Sequence, residues 1–195
     1  MQRHFEAIAG AIRELLGDPL DTDDHRAVAE AMAQHDAEIF ELDGRRFAWW
    51  VEPDETMGAP WDEHCGHGPV SDWTTRAKRP GEMVLHRDSW LVRYYDFAEA
   101  CVIARREGWG SAGDDGLKPR ARSARAAMAD YERLRQWCND VWSWVGVVVT
   151  EVNADDEAIG ETASLWGIES DAGDYLAEVA RELAGELLAK IWGEE

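Results

Sequence analysis

The chain has few cysteines and few basic residues, and it has no long apolar run. Its three cysteines, Cys65, Cys101 and Cys138, cannot all pair within one chain and are too few for a disulfide scaffold. No stretch approaches the ~20 apolar residues of a membrane-spanning helix. Residues 1–18 carry Glu6 and Glu14 among their apolar positions, which argues against a secretory signal. We therefore expect a protein of a reducing cytoplasm that contacts no membrane.

The acidic excess is large and unevenly spread. The 195 residues include 40 acids and 20 bases, a net charge of −20. Residues 1–40 and 41–72 each carry −6, residues 73–138 carry +4, and residues 139–195 carry −12. Such a surplus repels nucleic acid phosphates over most of a surface, so we expect no direct binding to nucleic acid. Two interpretations remain: the charge only keeps the protein dissolved, or it presents carboxylates to a basic partner.

The order of helix and strand patterns predicts an α+β fold. Asp43-Gly44 lies between two β-forming runs, which indicates a type I′ hairpin. Asp96 and Pro119 are expected to begin helices. We expect about five helices, at 2–16, 22–36, 97–107, 119–137 and 171–192, and six strands, at 39–42, 45–51, 82–86, 90–94, 142–152 and 159–168. Hairpins rather than strand–helix alternation predict an antiparallel sheet covered by helices, with a long C-terminal helix.

The same patterns suggest how the chain is divided. Residues 1–38 are expected to form an N-terminal helical segment, and residues 39–195 an α+β domain continuous with it. Residues 52–82 contain four prolines and several glycines, and we interpret them as a long ordered loop.

Several motifs resemble a known group of proteins. They are Trp137–Asp140, Trp144–Val149, Ser164–Ser170, His67–Thr75 and the helix start Tyr95–Phe97. Over roughly residues 40–190 the chain resembles small acidic proteins encoded by tailed bacteriophages and prophages. The resemblance implies a phage-type origin and a setting in the cytoplasm of a bacterial host. It implies no reaction, cofactor or catalytic residue, but it favours inhibition of a host defence, a common role of small acidic phage proteins.

One loop concentrates metal-ligand residue types. His64, Cys65 and His67 lie within Asp62–His67, and they offer nitrogen and sulfur of the kind that zinc binds in a tetrahedron of four. No second nearby pair of ligands occurs in the sequence. We therefore interpret the loop as polar with hydrogen-bonded histidines, and keep metal binding and a Cys65 nucleophile as weaker alternatives. No cofactor is expected, and no decisive catalytic signature is present.

The eleven tryptophans provide candidate partner contacts. Most are expected in the core, because aromatic rings bury large areas. Trp61, Trp73 and Trp109 lie in predicted loops, where an exposed tryptophan is a favoured interface anchor.

The last helix carries the sharpest feature of the sequence. Asp174, Glu178, Glu182 and Glu186 recur every four residues, so they lie along one helix face about 6 Å apart. The opposite stripe is apolar and includes Tyr175, Leu176, Val179, Leu183, Leu187, Leu188 and Ile191. Further acids around the preceding hairpin turn extend the set: Glu151, Asp155, Asp156, Glu157 and Glu161.

Together these features favour a non-enzymatic, phage-type acidic interaction protein. We expect it to bind a host protein with a basic, nucleic-acid-binding surface, as an inhibitor of a defence complex (anti-CRISPR or anti-restriction). Two alternatives stay open: a small metal-dependent enzyme that uses the 62–67 loop, and a phage structural or accessory protein.

Overall fold

The structure, a computed structural model, describes residues 22–111 and 116–193. In chain order its elements are α1 (Thr22–Gln34), β1 (Glu38–Leu42), β2 (Arg45–Pro53), α2 (Pro60–Glu63), β3 (Glu82–Asp88), β4 (Leu91–Asp96), α3 (Phe97–Glu107), α4 (Pro119–Cys138), β5 (Trp144–Val152), β6 (Ala158–Glu169) and α5 (Asp174–Gly193). The helix expected at residues 2–16 lies outside the described residues. The α+β prediction is confirmed, with antiparallel sheets of four and two strands and a long C-terminal helix.

The chain divides into two compact units. The flanking unit comprises Met1–Asp54 and Trp144–Glu195, and the central unit comprises Glu55–Ser143. These limits differ from the boundary after residue 38 that the sequence predicts, and that boundary stays a prediction. None of the described helices is both long and apolar enough to cross a membrane.

The flanking unit is built on the four-stranded antiparallel sheet, in the order β1-β2-β5-β6. The β1–β2 turn has Asp43 at φ 51° and Gly44 at φ 78°, as a type I′ turn requires, so the hairpin prediction is confirmed. β5 is buried along nearly its whole length, which explains its run of β-branched residues. Its register with β6 shifts twice, at a bulge between Val145 and Val147 and at an irregularity between Thr150 and Val152.

The core of the flanking unit lies between this sheet and α5. Val179, Leu183 and Leu187 of α5 pack with Phe47 of β2 and Val147 of β5, and all five are buried. At roughly 25 cal/mol per Å² of apolar surface, such burial is the main force that holds the helix on the sheet. One face of α5 is therefore committed to the core, and the other face is left to solvent.

The central unit packs α3 and α4 with the two-stranded sheet of β3 and β4. Its core contains Leu85, Tyr95, Ala100, Ala127 and Leu134. Both predicted helix starts are present: the Asp96 carboxylate accepts the Glu99 N–H, and Pro119 is the first residue of α4. The loop predicted at 52–82 contains the short helix α2, and single bridges join Val70 to Tyr95 and Thr74 to Val92.

Candidate interaction surface

The four acids of the C-terminal helix form one exposed face, which we call the acidic row: Asp174, Glu178, Glu182 and Glu186. All four side chains are exposed, opposite the buried stripe of α5. No ion pair joins any of them to another residue in the described part of the chain. The row spans three steps of about 6 Å each along the helix. The acidic row therefore exposes four carboxylates that no described cation pairs with, at regular spacing along the helix.

The two described cations of this helix do not neutralise the row. The Arg181 Nη1 donates to the Ala177 carbonyl at 3.5 Å, so it turns along the helix backbone. The Lys190 Nζ lies 3.7 Å from Glu161 on β6, and both of these side chains are well exposed. Pairs of this exposed kind contribute little to stability. Lys190 nevertheless places the C-terminal end of α5 beside the acidic part of β6.

The hairpin acids divide into paired and unpaired groups. Arg45 on β2 donates from Nη1 to both oxygens of Glu151, at 2.9 and 3.0 Å, and the Glu151 side chain is only 13% exposed. Arg46 lies 2.6 Å from Asp156 and also donates to the carbonyls of Asn153 and Ala154. Glu151 and Asp156 are thus partners in ion pairs, and their charges are largely compensated.

Asp155 and Glu157 remain exposed at the tip of the β5–β6 turn. The Asn153 side chain organises this tip, because its Oδ1 accepts both the Asp155 N–H and the Glu157 N–H, at 2.9 and 3.0 Å. Its Nδ2 donates to Glu157 Oε2 at 2.9 Å. The two carboxylates therefore sit on an ordered turn, as a short extension of the charged surface.

Tyr175 is exposed at the surface, so its assignment to the buried face of the helix was wrong. We assigned it to the apolar stripe, but its side chain is 50% exposed. It lies three residues before Glu178 and seven before Glu182, which puts it on the face of the acidic row. The spacing gave no signal of this, because Tyr175 lies four residues before Val179 and so continues the 179–183–187 line that meets the sheet.

Trp61 and Trp73, the two predicted loop anchors of the central unit, meet at one arginine. The Arg93 guanidinium lies 5.0 Å from the Trp61 ring and 4.9 Å from the Trp73 ring, within cation–π distance of both. Trp61 also contacts the edge of Trp137, and Trp73 contacts His86, each pair with centroids 5.4 Å apart. Both rings therefore belong to a packed cluster around Arg93, although Trp73 remains 39% exposed.

Trp109, the third predicted anchor, belongs to the end of α3. Its backbone N–H donates to the Ala104 carbonyl, and its Nε1 donates to Glu107 Oε2 at 3.2 Å. The ring is half-buried. Gly108 beside it adopts φ 73° and closes the helix in the left-handed conformation that favours glycine. Trp109 therefore helps to terminate a helix in the central unit.

The 62–67 loop is attached to α4 through Asp130. The Asp130 Oδ1 lies 2.6 Å from His67 Nδ1, and its Oδ2 accepts the Gly68 N–H at 2.8 Å and the Tyr95 hydroxyl at 2.7 Å. Burial raises the pKa of Tyr95 and the hydrogen bond to Asp130 raises it further, so the hydroxyl stays protonated and donates. Asp130 is a carboxylate hub that the sequence did not reveal.

The residues of the weaker metal and nucleophile interpretations lie in different surroundings. His64 and Cys65 are exposed, and His67 turns its Nδ1 to Asp130. Within residues 22–111 and 116–193, no group of three or more His, Cys, Asp or Glu side chains could hold a metal ion. Burial raises the pKa of the Cys101 thiol, and it raises that of Cys138 to about 11, so neither thiol is activated.

The two units carry very different charges. The flanking unit holds 26 acids and 7 bases, a net charge of −19, whereas the central unit holds 14 acids and 13 bases, a net charge of −1. Nearly all of the acidic excess therefore belongs to the unit that carries the acidic row.

Comparison of the chain with protein-family models, with curated proteins and with solved structures finds no match.

Proposed function

We propose that this protein is a non-enzymatic interaction protein whose flanking unit binds a basic surface of another protein. The observation that carries the proposal is the acidic row itself. Its four exposed carboxylates lie on a helix whose opposite face is fixed to a sheet, and no described cation pairs with them. A rigid, single-signed surface of this kind steers an oppositely charged partner toward it and suppresses wrong partners.

The spacing of the charges determines how closely the acidic row can imitate a nucleic acid backbone. The row carries one charge per ~6 Å of helix axis, whereas duplex DNA carries one per ~1.7 Å. The row alone therefore reproduces the sign of a nucleic acid backbone but not its density. Asp155, Glu157 and the net −19 of the unit add to the field. The partner that fits is a protein with a nucleic-acid-binding surface, which the row would occupy in competition with nucleic acid.

Charge alone gives little short-range affinity, and Tyr175 provides an apolar contact in the same place. Tyrosine is enriched in interfaces because a large rigid ring with one polar atom buries area at low entropic cost. Its 50% exposed ring lies on the face of the row. Tyr175 takes the role that the sequence gave to Trp61, Trp73 and Trp109, which all lie in the central unit.

The resemblance to small acidic phage proteins supports a narrower version of this proposal. In that version the partner is an effector or nuclease of a bacterial defence complex, and the protein is its inhibitor (anti-CRISPR or anti-restriction). The exposed row supports the binding step of such a mechanism. The identity of the partner rests on the resemblance alone.

The test compares two triple variants that change the net charge equally. The first reverses the row with Glu178→Lys, Glu182→Lys and Glu186→Lys. The control reverses three exposed acids elsewhere, Glu38→Lys, Glu41→Lys and Glu55→Lys. Each tagged protein is used to capture partners from a bacterial host lysate, and association of the captured partner is then timed at low and high salt.

We expect the wild type and the control to retain a nucleic-acid-binding protein that the row variant loses. Added nucleic acid should displace the wild type from that partner, and its association rate should fall as salt rises. Equal capture by the row variant and the control would contradict the proposal, as would capture that nucleic acid does not disturb. The proposal would also be contradicted if no protein in the lysate is captured by the control and lost by the row variant.

A further inference from the structure

The central unit contains a groove with the opposite charge to the acidic row. It lies between β3 and the C-terminal half of α4 and has a volume of about 500 Å³. We call this site the basic groove. Its polar lining residues include Lys78, His86, Arg87, Arg135 and Asn139. Not one of its described lining residues is Asp or Glu. A lining whose charged residues are all basic is unexpected in a chain whose acids outnumber its bases two to one.

The three cations of the basic groove are uncompensated. Lys78, Arg87 and Arg135 are exposed, and none forms an ion pair with another described residue. Nearby Arg76, in contrast, is fully engaged by Glu82 through both of its terminal nitrogens. The carboxylate of Glu82, which precedes the lining residue Met83, is thus held by Arg76. The three basic residues of the lining form no ion pair with a described residue.

The walls of the basic groove are held in place by contacts that leave the cations free. The Tyr131 hydroxyl of α4 donates to the Val84 carbonyl of β3 at 2.8 Å, which ties the two walls together. The Asn139 Nδ2 donates to the Arg135 carbonyl at 2.6 Å, so one acceptor at the end of α4 is already satisfied. His86 packs against Trp73, whose ring lies within cation–π distance of Arg93. The groove is therefore preformed, which lowers the entropic cost of binding.

We propose that the basic groove binds the phosphates of a small phosphorylated ligand of nucleotide size. A volume of about 500 Å³ lies within the range of ~300–1,000 Å³ that small-molecule sites occupy. Arg87 and Arg135 can each offer two parallel N–H donors to phosphate oxygens, and Lys78 adds a mobile point charge. A free di- or triphosphate fits better than a nucleic acid strand, because a net charge of −20 repels a long polyanion.

This inference is independent of the proposed function. The basic groove and the acidic row lie in different units and carry opposite charges. Loss of partner binding in the row variant leaves the groove proposal untouched, and failure of the groove to bind phosphate leaves the row proposal untouched.

The test is calorimetric titration of the full chain with four probes: ATP, inorganic pyrophosphate, adenosine and a single-stranded oligothymidylate. The groove variants are Arg87→Glu, Lys78→Glu and the milder Arg135→Gln. The matched control is Arg105→Glu, which removes an exposed arginine of α3 in the same unit. Thermal unfolding of every variant checks that it folds, and the three separate substitutions keep the test valid if one of them does not.

We expect ATP and pyrophosphate to bind with one site per chain, more weakly at high salt, and adenosine not to bind. Each groove substitution should weaken ATP binding about tenfold, because each removes a charge-assisted hydrogen bond, and Arg105→Glu should leave it unchanged. The proposal is overturned if ATP does not bind, if the control weakens it as much as the groove variants, or if the oligothymidylate binds more tightly than ATP.

Discussion

The indole of Trp166 on β6 lies over the backbone of Gly146 on β5. A Cβ atom at Gly146 would overlap three carbons of this ring. The contact coincides with the first bulge of the sheet, where Val145 pairs with Ile168 and Val147 with Leu165. Two residues of β6, Trp166 and Gly167, therefore face Gly146 alone, as in a β-bulge. Two motifs that the sequence analysis singled out, Trp144–Val149 and Ser164–Ser170, meet at this bulge.

The first prediction concerns this contact. Gly146→Ala should destabilise the protein by ~1–3 kcal/mol, because the buried strand cannot move away from the ring. Gly146 does not adopt a positive φ, so the cost is steric and not conformational. In a Trp166→Ala background the same substitution should cost much less, and urea unfolding of the four proteins gives the coupling energy.

A second glycine provides the control. Gly185 lies inside α5, and a Cβ atom there would meet nothing within 4 Å. Gly185→Ala should therefore stabilise the protein by ~0.5–1 kcal/mol through helix propensity. An equal loss from Gly146→Ala with and without Trp166 would show that the ring is not the cause.

The second prediction concerns the carboxylate hub at Asp130. Asp130→Ala removes the acceptor of His67 Nδ1 and of the Gly68 N–H, and it weakens the bonding of the buried Tyr95 hydroxyl. We expect a loss of ~1–3 kcal/mol in unfolding free energy. Amide exchange of residues 64–70 should also become faster, since that segment loses its attachment to α4.

Glu132→Ala is the matched control for the hub, because Glu132 lies two residues further along α4 and is exposed. It should leave both the stability and the exchange of residues 64–70 close to wild type. If Asp130→Ala left that exchange unchanged, the hub would not be what fixes the loop.

The third prediction is a pH dependence at Glu82. Arg76 and the Arg79 N–H both donate to its carboxylate, and the Arg76 guanidinium lowers the pKa of Glu82 to about 2. In the unfolded chain a glutamate titrates near ~4.3. A lowered folded-state pKa stabilises the folded protein above that pH, and the stabilisation is lost as the pH falls toward about 2.

Glu82→Gln should therefore be destabilised relative to wild type at pH 7, and the difference should narrow on acidification. Urea unfolding at several pH values measures it, with Glu55→Gln as an exposed control that should show no such narrowing. A difference that is constant with pH would mean that the ion pair with Arg76 does not set the charge state of Glu82.

Local rules explain which features the sequence predicted correctly. The turn at Asp43-Gly44, the cap at Asp96 and the helix start at Pro119 each depend on residues close along the chain. The acidic row was also predictable, since the helical repeat alone places Glu178 and Glu182 on one face.

Long-range contacts explain what the sequence did not predict. Glu151 was grouped with the free acids, but the pairing of β2 with β5 brings Arg45, 106 positions away, onto its carboxylate. Trp61 and Trp73 were interpreted as separate loop anchors, and only the fold brings both to Arg93. No spacing rule relates residues that meet through tertiary structure.

The last prediction concerns the effect of the acidic row on the free energy of unfolding. Like charges four residues apart destabilise a helix by ~0.2–0.5 kcal/mol per pair, and Glu182 belongs to two such pairs, with Glu178 and Glu186. Glu182→Gln should therefore stabilise the protein by ~0.4–1 kcal/mol at low salt, since the two residues have similar helix propensities. The gain should shrink in ~1 M NaCl, where screening acts over about 3 Å.

Glu132→Gln is the control, because no acid lies three or four residues from Glu132 on α4. Urea unfolding at the two salt concentrations measures both variants. A gain in stability that is confined to Glu182→Gln and sensitive to salt would mean that the carboxylates of the row repel one another and lower the stability of the protein. A binding surface commonly carries such a cost, whereas a helix face that only keeps the protein in solution need not. A loss of stability, or a gain that salt does not change, would show that the carboxylates of the row do not repel one another.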